Sequence, residues 1–269
     1  MLTKERILSI NVSQGKHAEF INSILDLGIK KKSSYVCVAN VHMLVEAHQS
    51  KSFQEVVNQA DIVTPDGMPI ARSFGALYGI EQERVDGMSL LPALLEKAIE
   101  QNLKVFFYGS SSEIIDHTKT FIKENYPALN VVGLYSPPFR WLTEEEEENV
   151  INNIANSGAN IVFVALGCPK QEQWMSEMKG KIPAVMVGVG GALPVLVGLR
   201  KRAPLWMQRN SLEWFYRFLQ EPRRLFKRYL ITNSVFLYLL FREKAKPAKV
   251  GYRLAGEKVS NHDTDDSTY

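Results

Sequence analysis

The sequence predicts an α/β fold built on an open, mostly parallel sheet with helices on both faces, followed by a basic, amphipathic helical appendage. Up to about residue 199, short apolar runs rich in branched side chains alternate with amphipathic segments of helical period. The runs are almost continuously apolar, as expected for parallel strands that are covered on both sides. A chain of 269 residues with 45% hydrophobic composition can also bury a substantial core. These features are typical of a Rossmann-like sheet, whose ligands gather at the carboxyl ends of its strands.

The expected strands carry branched or aromatic side chains and stop at turn-forming residues. They are residues 7–12, 35–39, 61–64, 104–108, 131–134, 161–165 and 184–189. The expected helices lie between these strands and follow an amphipathic, helical pattern. They are residues 16–27, 43–60 with a break near Ser50, 68–78, 89–101, 112–125, 144–156 and 171–179.

A change in composition near residue 200 divides the chain into an α/β domain at 1–199, a helical appendage at 200–246 and a polar tail at 247–269, which is expected to be disordered. Between Arg200 and Lys246, twelve Lys or Arg residues stand against three Glu, a local balance of +9, whereas the whole chain carries +3. Aromatic side chains are interleaved with these cations. Such a surface favours an anionic and partly apolar partner, which describes a lipid bilayer, whereas nucleic acid matches only the charge.

The appendage is expected to lie on a membrane rather than to cross it. Its longest apolar run, residues 229–241, has about 13 residues and includes three polar ones, whereas a spanning helix needs roughly 18 apolar residues. The first ten residues carry three charges and do not resemble a signal peptide. Cys37 and Cys168 lie in apolar stretches and are expected to be reduced, buried thiols. The expected location is therefore cytoplasmic, peripheral on the inner face of the cell membrane.

Polar residues follow several strands at the edge where ligands are expected. Asn40 follows the strand 35–39 and either caps the next helix or presents its amide to a sugar hydroxyl. Asp66 follows the strand 61–64 and either forms a turn with Gly67 or holds a carboxylate at the mouth of the sheet. Arg84 follows shortly and either forms a structural salt bridge or pairs with a phosphate or with Asp66.

Two glycine-containing junctions are candidate sites for a phosphate or a nucleotide. Gly109 and Ser110 follow the strand 104–108, where unpaired backbone N–H groups at a helix N-terminus favour anions, although capping by Ser112 explains the hydroxyls equally well. Gln171 and Glu172 begin a later helix and are expected to project into the cleft or into water. Glycines that allow close backbone approach follow the strand 184–189, and they are Gly188, Gly190 and Gly191.

A dinucleotide site is poorly supported at this last junction. The dinucleotide fingerprint needs a third glycine at position 193, which is Leu193. It also needs a strand about twenty residues later, where the pattern predicts a helix. An NAD-dependent oxidoreductase is therefore a weak alternative.

The ordered combination of these motifs resembles the WecG/TagA/CpsF glycosyltransferase family over roughly residues 5–243. The motifs are Val38-Ala39-Asn40, Ala60-Asp61-Ile62-Val63-Thr64-Pro65-Asp66-Gly67, Arg84-Val85-Asp86-Gly87, Gly167-Cys168-Pro169-Lys170-Gln171-Glu172 and Gly188-Val189-Gly190-Gly191. The resemblance implies an inverting enzyme that needs no metal or other cofactor. It would move a sugar from a UDP-sugar to a polyprenyl-diphosphate-linked glycan in bacterial cell-surface polysaccharide synthesis.

The same resemblance implies roles for individual residues. Asp66 matches the proposed catalytic base, and the other matching active-site positions are Asn40, Arg84 and Gln171. Basic residues of the appendage match Arg217, Arg224 and Lys227. Val38 stands where wall-teichoic members carry Thr, and residues 35–47 are closer to exopolysaccharide (GumM-like) members. UDP-glucose, UDP-N-acetylmannosamine and a UDP-uronic acid all remain open as donors.

A second interpretation from a different class is a non-catalytic, nucleotide-binding adaptor at the membrane surface. It would keep the basic appendage and the glycine loops but would have no need for Asp66. Either interpretation includes a membrane surface as partner, allows a homo-oligomer and includes no nucleic acid. The single D-x-D motif, Asp263-Thr264-Asp265, lies in the polar tail and is expected to be solvated rather than to bind metal.

Overall fold

The computed structural model of the chain describes residues 2–140, 142–209 and 212–245, except for the side chains of Arg209 and Arg224. The expected tail at 247–269 therefore lies outside the described residues. The strands are β1 (Lys4–Ile7), β2 (Ile10–Ser13), β3 (Ser34–Ala39), β4 (Ile62–Pro65), β5 (Lys104–Gly109), β6 (Asn130–Tyr135), β7 (Ile161–Ala165) and β8 (Val185–Gly188). Within these residues, six strands form a parallel sheet in the order β4-β3-β8-β7-β5-β6, which confirms the predicted fold class.

The helices lie between the strands along the chain, as the hydrophobic pattern predicts. They are α1 (His17–Ile29), α2 (Val41–Gln49), α3 (Lys51–Asn58), α4 (Met68–Tyr78), α5 (Gly87–Glu100), α6 (Ser112–Asn125), α7 (Glu144–Asn156), α8 (Lys170–Met178) and α9 (Ala192–Leu196). Three further helices form the appendage, α10 (Leu205–Arg209), α11 (Glu213–Gln220) and α12 (Pro222–Lys244).

Helices cover both faces of the sheet because successive strand side chains point to opposite sides. In β3, Tyr35 and Cys37 join one hydrophobic core, whereas Val36 and Val38 join the other. The first core contains buried residues of α2, α3, α8 and α12, and the second contains those of α1, α5 and α9. All six residues of β3 are buried, as expected for a central parallel strand.

The segment predicted as one strand, residues 7–12, is instead the middle of a hairpin. Strand β1 ends at Ile7, the chain turns at Leu8 with φ 56°, and β2 begins at Ile10 and runs antiparallel to β1. The prediction was wrong because Ile7, Ile10 and Val12 are all fully buried, so a turn within the run left its apolar pattern unbroken. Ser13 fixes the hairpin against the main sheet by accepting a hydrogen bond from the N–H of Val63 at 3.1 Å.

The long helix α12 packs against α2 and has two distinct faces. Leu225, Thr232, Phe236 and Leu239 are buried, and their spacing of seven, four and three residues places them on one side of the helix. Phe236 and Leu239 belong to the same core as β3 and α2. The opposite side exposes large apolar side chains, which are Phe226, Leu230, Leu237, Tyr238 and Phe241. No helix in the described part of the chain is long and apolar enough to cross a membrane.

Gly109, the last residue of β5, has a backbone conformation and surroundings that only glycine tolerates. Its φ is +108°, and a Cβ placed there would lie 2.7 Å from the carbonyl carbon of Ala165. Gly79 ends α4 with φ +70°, but a Cβ added to it would meet no atom within 4 Å. We expect Gly109→Ala to lower the thermal midpoint more than Gly79→Ala, since the first adds an overpacking cost of about 1–3 kcal/mol to the backbone strain. Thermal denaturation followed by circular dichroism measures both variants, and equal shifts would contradict the close contact.

Candidate active site

Two cavities meet at the carboxyl edge of β4, β3, β8 and β7, in the part of the chain that the structure describes. The larger has a volume of about 250 Å³ and is called the glycine-lined cavity, after Gly167, Gly188, Gly190 and Gly191. The smaller has a volume of about 130 Å³ and is called the aromatic cavity, after Trp214 and Tyr229. Both cavities are lined by Asn40, Asp66, Glu213, Arg217, Arg228 and Tyr229.

Asp66 lies where the two cavities join. Its backbone N–H donates to the carbonyl oxygen of Ala39 at 2.8 Å, which fixes the residue between the ends of β4 and β3. Gly67 follows with φ 94°, and this turn starts α4 immediately beyond the carboxylate. The sheet edge, rather than a flexible loop, therefore sets the position of the Asp66 side chain.

The surroundings of Asp66 disfavour its charged form. Burial raises the pKa of the carboxyl group to about 7, and the negative charges of Asp86 and Glu213 add to this effect. Arg217 and Arg84 act in the opposite direction without cancelling it. A carboxyl group with a pKa near 7 can both lose and accept a proton at neutral pH, which suits a general base.

Asn40 caps the next helix, which is one of its two predicted roles, and it also lines the site. Its Oδ1 accepts a hydrogen bond from the N–H of Met43 at 3.2 Å and so caps α2. The same side chain lines both cavities beside Asp66. Because the cap uses only Oδ1, the amide NH₂ group is not engaged by it.

Arg84 forms structural salt bridges, which was one of its predicted alternatives, and does not pair with Asp66. Its guanidinium lies 2.9 Å from a carboxylate oxygen of Asp86 and 2.8 Å from one of Glu213. Asp86 caps α5 by accepting from the N–H groups of Met88 and Ser89, and it also contacts Arg202 at 3.0 Å. These four charged residues tie α11 and the segment before α10 to the α/β domain, while Arg84 still lines the aromatic cavity.

The glycine-lined cavity has the features of an anion site. A Cβ on Gly188 would lie 2.9 Å from the amide nitrogen of Gln171, so a larger residue there would displace this side chain. Gln171 accepts from the N–H of Gly167 at 3.3 Å and lines the cavity. Several cations of the appendage line the same cavity, and they are Arg200, Lys201, Arg202, Arg217 and Arg228.

Glu172 does not project into the cleft as expected. Its side chain is 0% exposed and accepts a hydrogen bond from the amide nitrogen of Gln171. Burial raises the pKa of the Glu172 carboxyl to about 7. The residue lies behind Gln171, where it orients the amide instead of reaching a ligand.

Gly109 and Ser110 also lie outside both cavities. Strand β5 is separated from β8 by β7, so its end is farther from Asp66 than those of β3 and β8. The N–H of Ser110 donates to Ala165 at 2.8 Å, and Ser111 rather than Ser112 caps α6. The strand order, and not the local motif, decides which junctions meet, and a ligand contact at Gly109 and Ser110 stays a prediction.

The three predicted basic residues of the appendage have different positions. Arg217 lines both cavities, and the side chain of Arg224 lies outside the described part of the chain. Lys227 is exposed and lines neither cavity, so its expected ligand contact stays a prediction. Arg228, which the sequence reasoning missed, lines both. It lies three residues after buried Leu225, and this helical spacing was the signal that could have identified it.

Comparison with known proteins identifies the relatives of the chain. A family model described as the glycosyl transferase WecG/TagA/CpsF family matches residues 5–250. An N-acetylglucosaminyldiphosphoundecaprenol N-acetyl-beta-D-mannosaminyltransferase of Bacillus spizizenii is 34% identical over 82% of this chain and 85% of its own length. Proteins of the same name from Bacillus subtilis and Staphylococcus aureus are 30% and 27% identical, over 81% and 80% of this chain and 83% and 82% of their own lengths.

The raised pKa of Asp66 makes the stability of the protein depend on pH. Between the unfolded pKa, about 3.9, and the folded pKa of about 7, the native state keeps a proton that the unfolded state has lost. The wild type should therefore lose stability relative to Asp66→Asn by about 1.4 kcal/mol for each pH unit in this window, and no further above it. Chemical denaturation of both proteins at several pH values measures the difference. A constant difference across the window would show that burial does not perturb this carboxyl group.

Proposed function

Because the chain belongs to the WecG/TagA/CpsF family of glycosyltransferases, we propose that it moves a sugar from a UDP-sugar to a polyprenyl-diphosphate-linked acceptor in cell-surface polysaccharide synthesis. The names of the relatives describe transfer of N-acetylmannosamine to a lipid-diphosphate-linked N-acetylglucosamine. Among the donors left open by the sequence, these names favour UDP-N-acetylmannosamine. Membership of an enzyme family removes the support for a non-catalytic adaptor.

The observation that carries the proposal is the position of Asp66 at the junction of two cavities with a pKa near 7. A transferase needs to hold two substrates with their reacting atoms in contact, and a base has to reach the attacking hydroxyl. One carboxylate that borders both cavities satisfies this requirement without any movement of the sheet.

The proposed reaction is a single displacement with inversion. The acceptor hydroxyl oxygen attacks the anomeric carbon of the donor on the side opposite UDP, while Asp66 takes the hydroxyl proton. The new C–O bond forms as the bond to the diphosphate oxygen breaks, and UDP leaves with the electron pair. One proton passes to Asp66 and one negative charge develops on UDP, so atoms and charge balance.

Cations of the appendage are placed to stabilise the charge on the leaving diphosphate. Arg217 and Arg228 line the glycine-lined cavity together with Asp66, and Arg200 and Arg202, which are paired with Glu221 and Asp86, line it as well. Fixed positive charges stabilise a developing anion strongly where water is excluded. We assign leaving-group stabilisation to these residues and include no metal ion in the mechanism.

The outer face of α12 supports attachment to the inner face of the cell membrane. Its exposed apolar residues lie on the side opposite the core, and Arg223 and Lys227 near its start are exposed as well. Each Lys or Arg close to an anionic bilayer contributes about 1 kcal/mol of attraction, in addition to the burial of apolar side chains. This placement would bring the site close to a lipid-linked acceptor.

Substitution of the proposed base tests the enzymatic function. Asp66→Asn should keep UDP binding and lower the transfer rate by about 10²–10⁴-fold, because it removes proton acceptance without removing the side-chain volume. In the wild type, kcat/KM should rise with pH through about 7 and then level off, since the base acts in its ionised form. UDP release with a short polyprenyl-diphosphate-linked N-acetylglucosamine as acceptor measures both.

Glu172→Gln is the matched control, because Glu172 is a second carboxyl group with a pKa of about 7 that lies outside both cavities. The rise of kcat/KM near pH 7 should persist in this variant. If the rise disappears, it is caused by Glu172 instead of Asp66. A wild-type rate in Asp66→Asn would exclude Asp66 as the base.

Substitution of the outer face of α12 tests membrane attachment. Combined Leu237→Ser, Tyr238→Ser and Phe241→Ser should lower the fraction that sediments with anionic liposomes, because exposed apolar contact is lost. Phe139→Ser is the control, since Phe139 is 89% exposed and lies in the α/β domain. Point variants are preferable to truncation because Phe236 and Leu239 complete the core. Unchanged sedimentation of the triple variant would exclude α12 as the contact.

A further inference from the structure

We propose that the aromatic cavity is the subsite for the acceptor sugar, and that His42, Trp214 and Asn233 select that sugar. The inference rests on the proposed function and assigns each of the two substrates to one side of Asp66. The donor then occupies the glycine-lined cavity, and the acceptor enters from the side of α12.

The two cavities differ in the chemistry of their walls. The glycine-lined cavity offers open backbone around Gly188, Gly190 and Gly191 and a wall of cations, which suits a diphosphate. Arg217 and Arg228 line both cavities, whereas Arg200, Lys201 and Arg202 line only the first. Arg84, the one cation that lines only the aromatic cavity, is paired with Asp86 and Glu213, and no glycine-rich junction is present among the lining residues there. The first cavity therefore suits a diphosphate better than the second.

An aromatic corner forms one wall of the aromatic cavity. The rings of Trp214 and Tyr229 lie edge to face, with centroids 5.9 Å apart and an interplanar angle of 85°. Met68 and Pro69 line the same space. A corner of apolar surface with a few polar groups suits a sugar, whose C–H face packs on aromatic rings while its hydroxyls form hydrogen bonds.

Apart from the paired Arg84, the polar groups that line only this cavity are neutral hydrogen-bonding groups. Burial and the charge of Arg228 lower the pKa of His42 to about 4, so its ring is uncharged at neutral pH and carries one donor and one acceptor. Asn233 and Thr232 on α12 and Asn40 at the start of α2 also line the space. Such groups match hydroxyl and amide substituents better than they match a charged phosphate.

The position of the cavity also fits an acceptor that is attached to a lipid. Tyr229, Thr232 and Asn233 of α12 line the cavity, and the same helix exposes Leu230 three residues before Asn233 and Leu237 four residues after it, which places this apolar surface next to the cavity. A sugar held in the cavity would therefore lie close to the proposed membrane surface. The lipid could remain in the bilayer while the sugar hydroxyl reaches Asp66.

Steady-state kinetics of the full chain test the assignment with UDP-N-acetylmannosamine and a short polyprenyl-diphosphate-linked N-acetylglucosamine. Trp214→Ala and His42→Phe should each raise the acceptor KM about tenfold or more, while the donor KM changes less than about twofold. His42→Gln, which keeps a donor and an acceptor, should restore part of the loss. Slow hydrolysis of the donor without acceptor should remain at the wild-type rate.

Phe215→Ala is the matched control for the aromatic substitution. Phe215 is 39% exposed, Trp214 is 40% exposed, and Phe215 lines neither cavity among the described residues. The control should keep both KM values and liposome binding unchanged. If Trp214→Ala does not fold, as shown by its thermal denaturation, Asn233→Ala tests the same cavity from another helix and should raise the acceptor KM.

The outcomes separate this inference from the proposed function. A wild-type protein that transfers no sugar with this substrate pair, or with other UDP-sugars, would overturn the proposed function and the inference with it. If the wild type is active and only the donor KM is raised in the variants, the aromatic cavity holds the donor. If the wild type is active and the KM values are unchanged in all variants, the cavity is not a subsite, whereas the proposed transferase function still holds.

Discussion

The architecture of the site depends on a group of ion pairs in which Arg84 joins Asp86 to Glu213 and Arg202 adds a second contact to Asp86. Asp86 is almost fully buried, and Arg84 and Glu213 are largely so, which means that removing one partner would leave an unpaired charge in a poorly solvated place. The pairs hold the appendage over the sheet edge and thereby close both cavities. The same carboxylates disfavour negative charge on Asp66 and help to raise its pKa. The same arrangement of charges thus holds the appendage against the α/β domain and helps to raise the pKa of the proposed base.

Much of the fold was predictable because parallel strands buried on both faces leave a strong hydrophobic pattern. The predicted bounds of α4, α6, α7 and β7 are those of the structure. The hairpin at β1 and β2 was not predictable from this pattern, because a tight turn at Leu8 keeps its apolar residues in one core. Local periodicity reports which side chains are buried and gives less information about where the chain reverses.

The site was predictable to the extent that its residues follow strands that are neighbours in the sheet. Asn40 and Asp66 follow β3 and β4, which pair directly, and both line the cavities. Gly109 and Ser110 have equally suggestive chemistry but lie at the end of β5, and strand order cannot be read from a local motif. Similarly, the ion pair between Arg84 and Glu213 joins residues 129 positions apart, and no spacing rule indicates such a contact. The resemblance indicated Lys227, whereas the packing of α12 places its neighbour Arg228 at the cavities.

The two faces of α12 should differ in the substitutions that they tolerate, although they belong to one helix. Arg228 and Phe236 are eight residues apart and lie on the same side, one at the cavities and the other in the core. Evolution can therefore exchange the outward side chains to suit bilayers of different composition without moving the cation. A single residue inserted or deleted between them, in contrast, would rotate one relative to the other by about 100°, so that Arg228 and Phe236 could not both keep their positions. Among homologous sequences, this helix should consequently tolerate substitutions on its outer side but keep its length between these two residues.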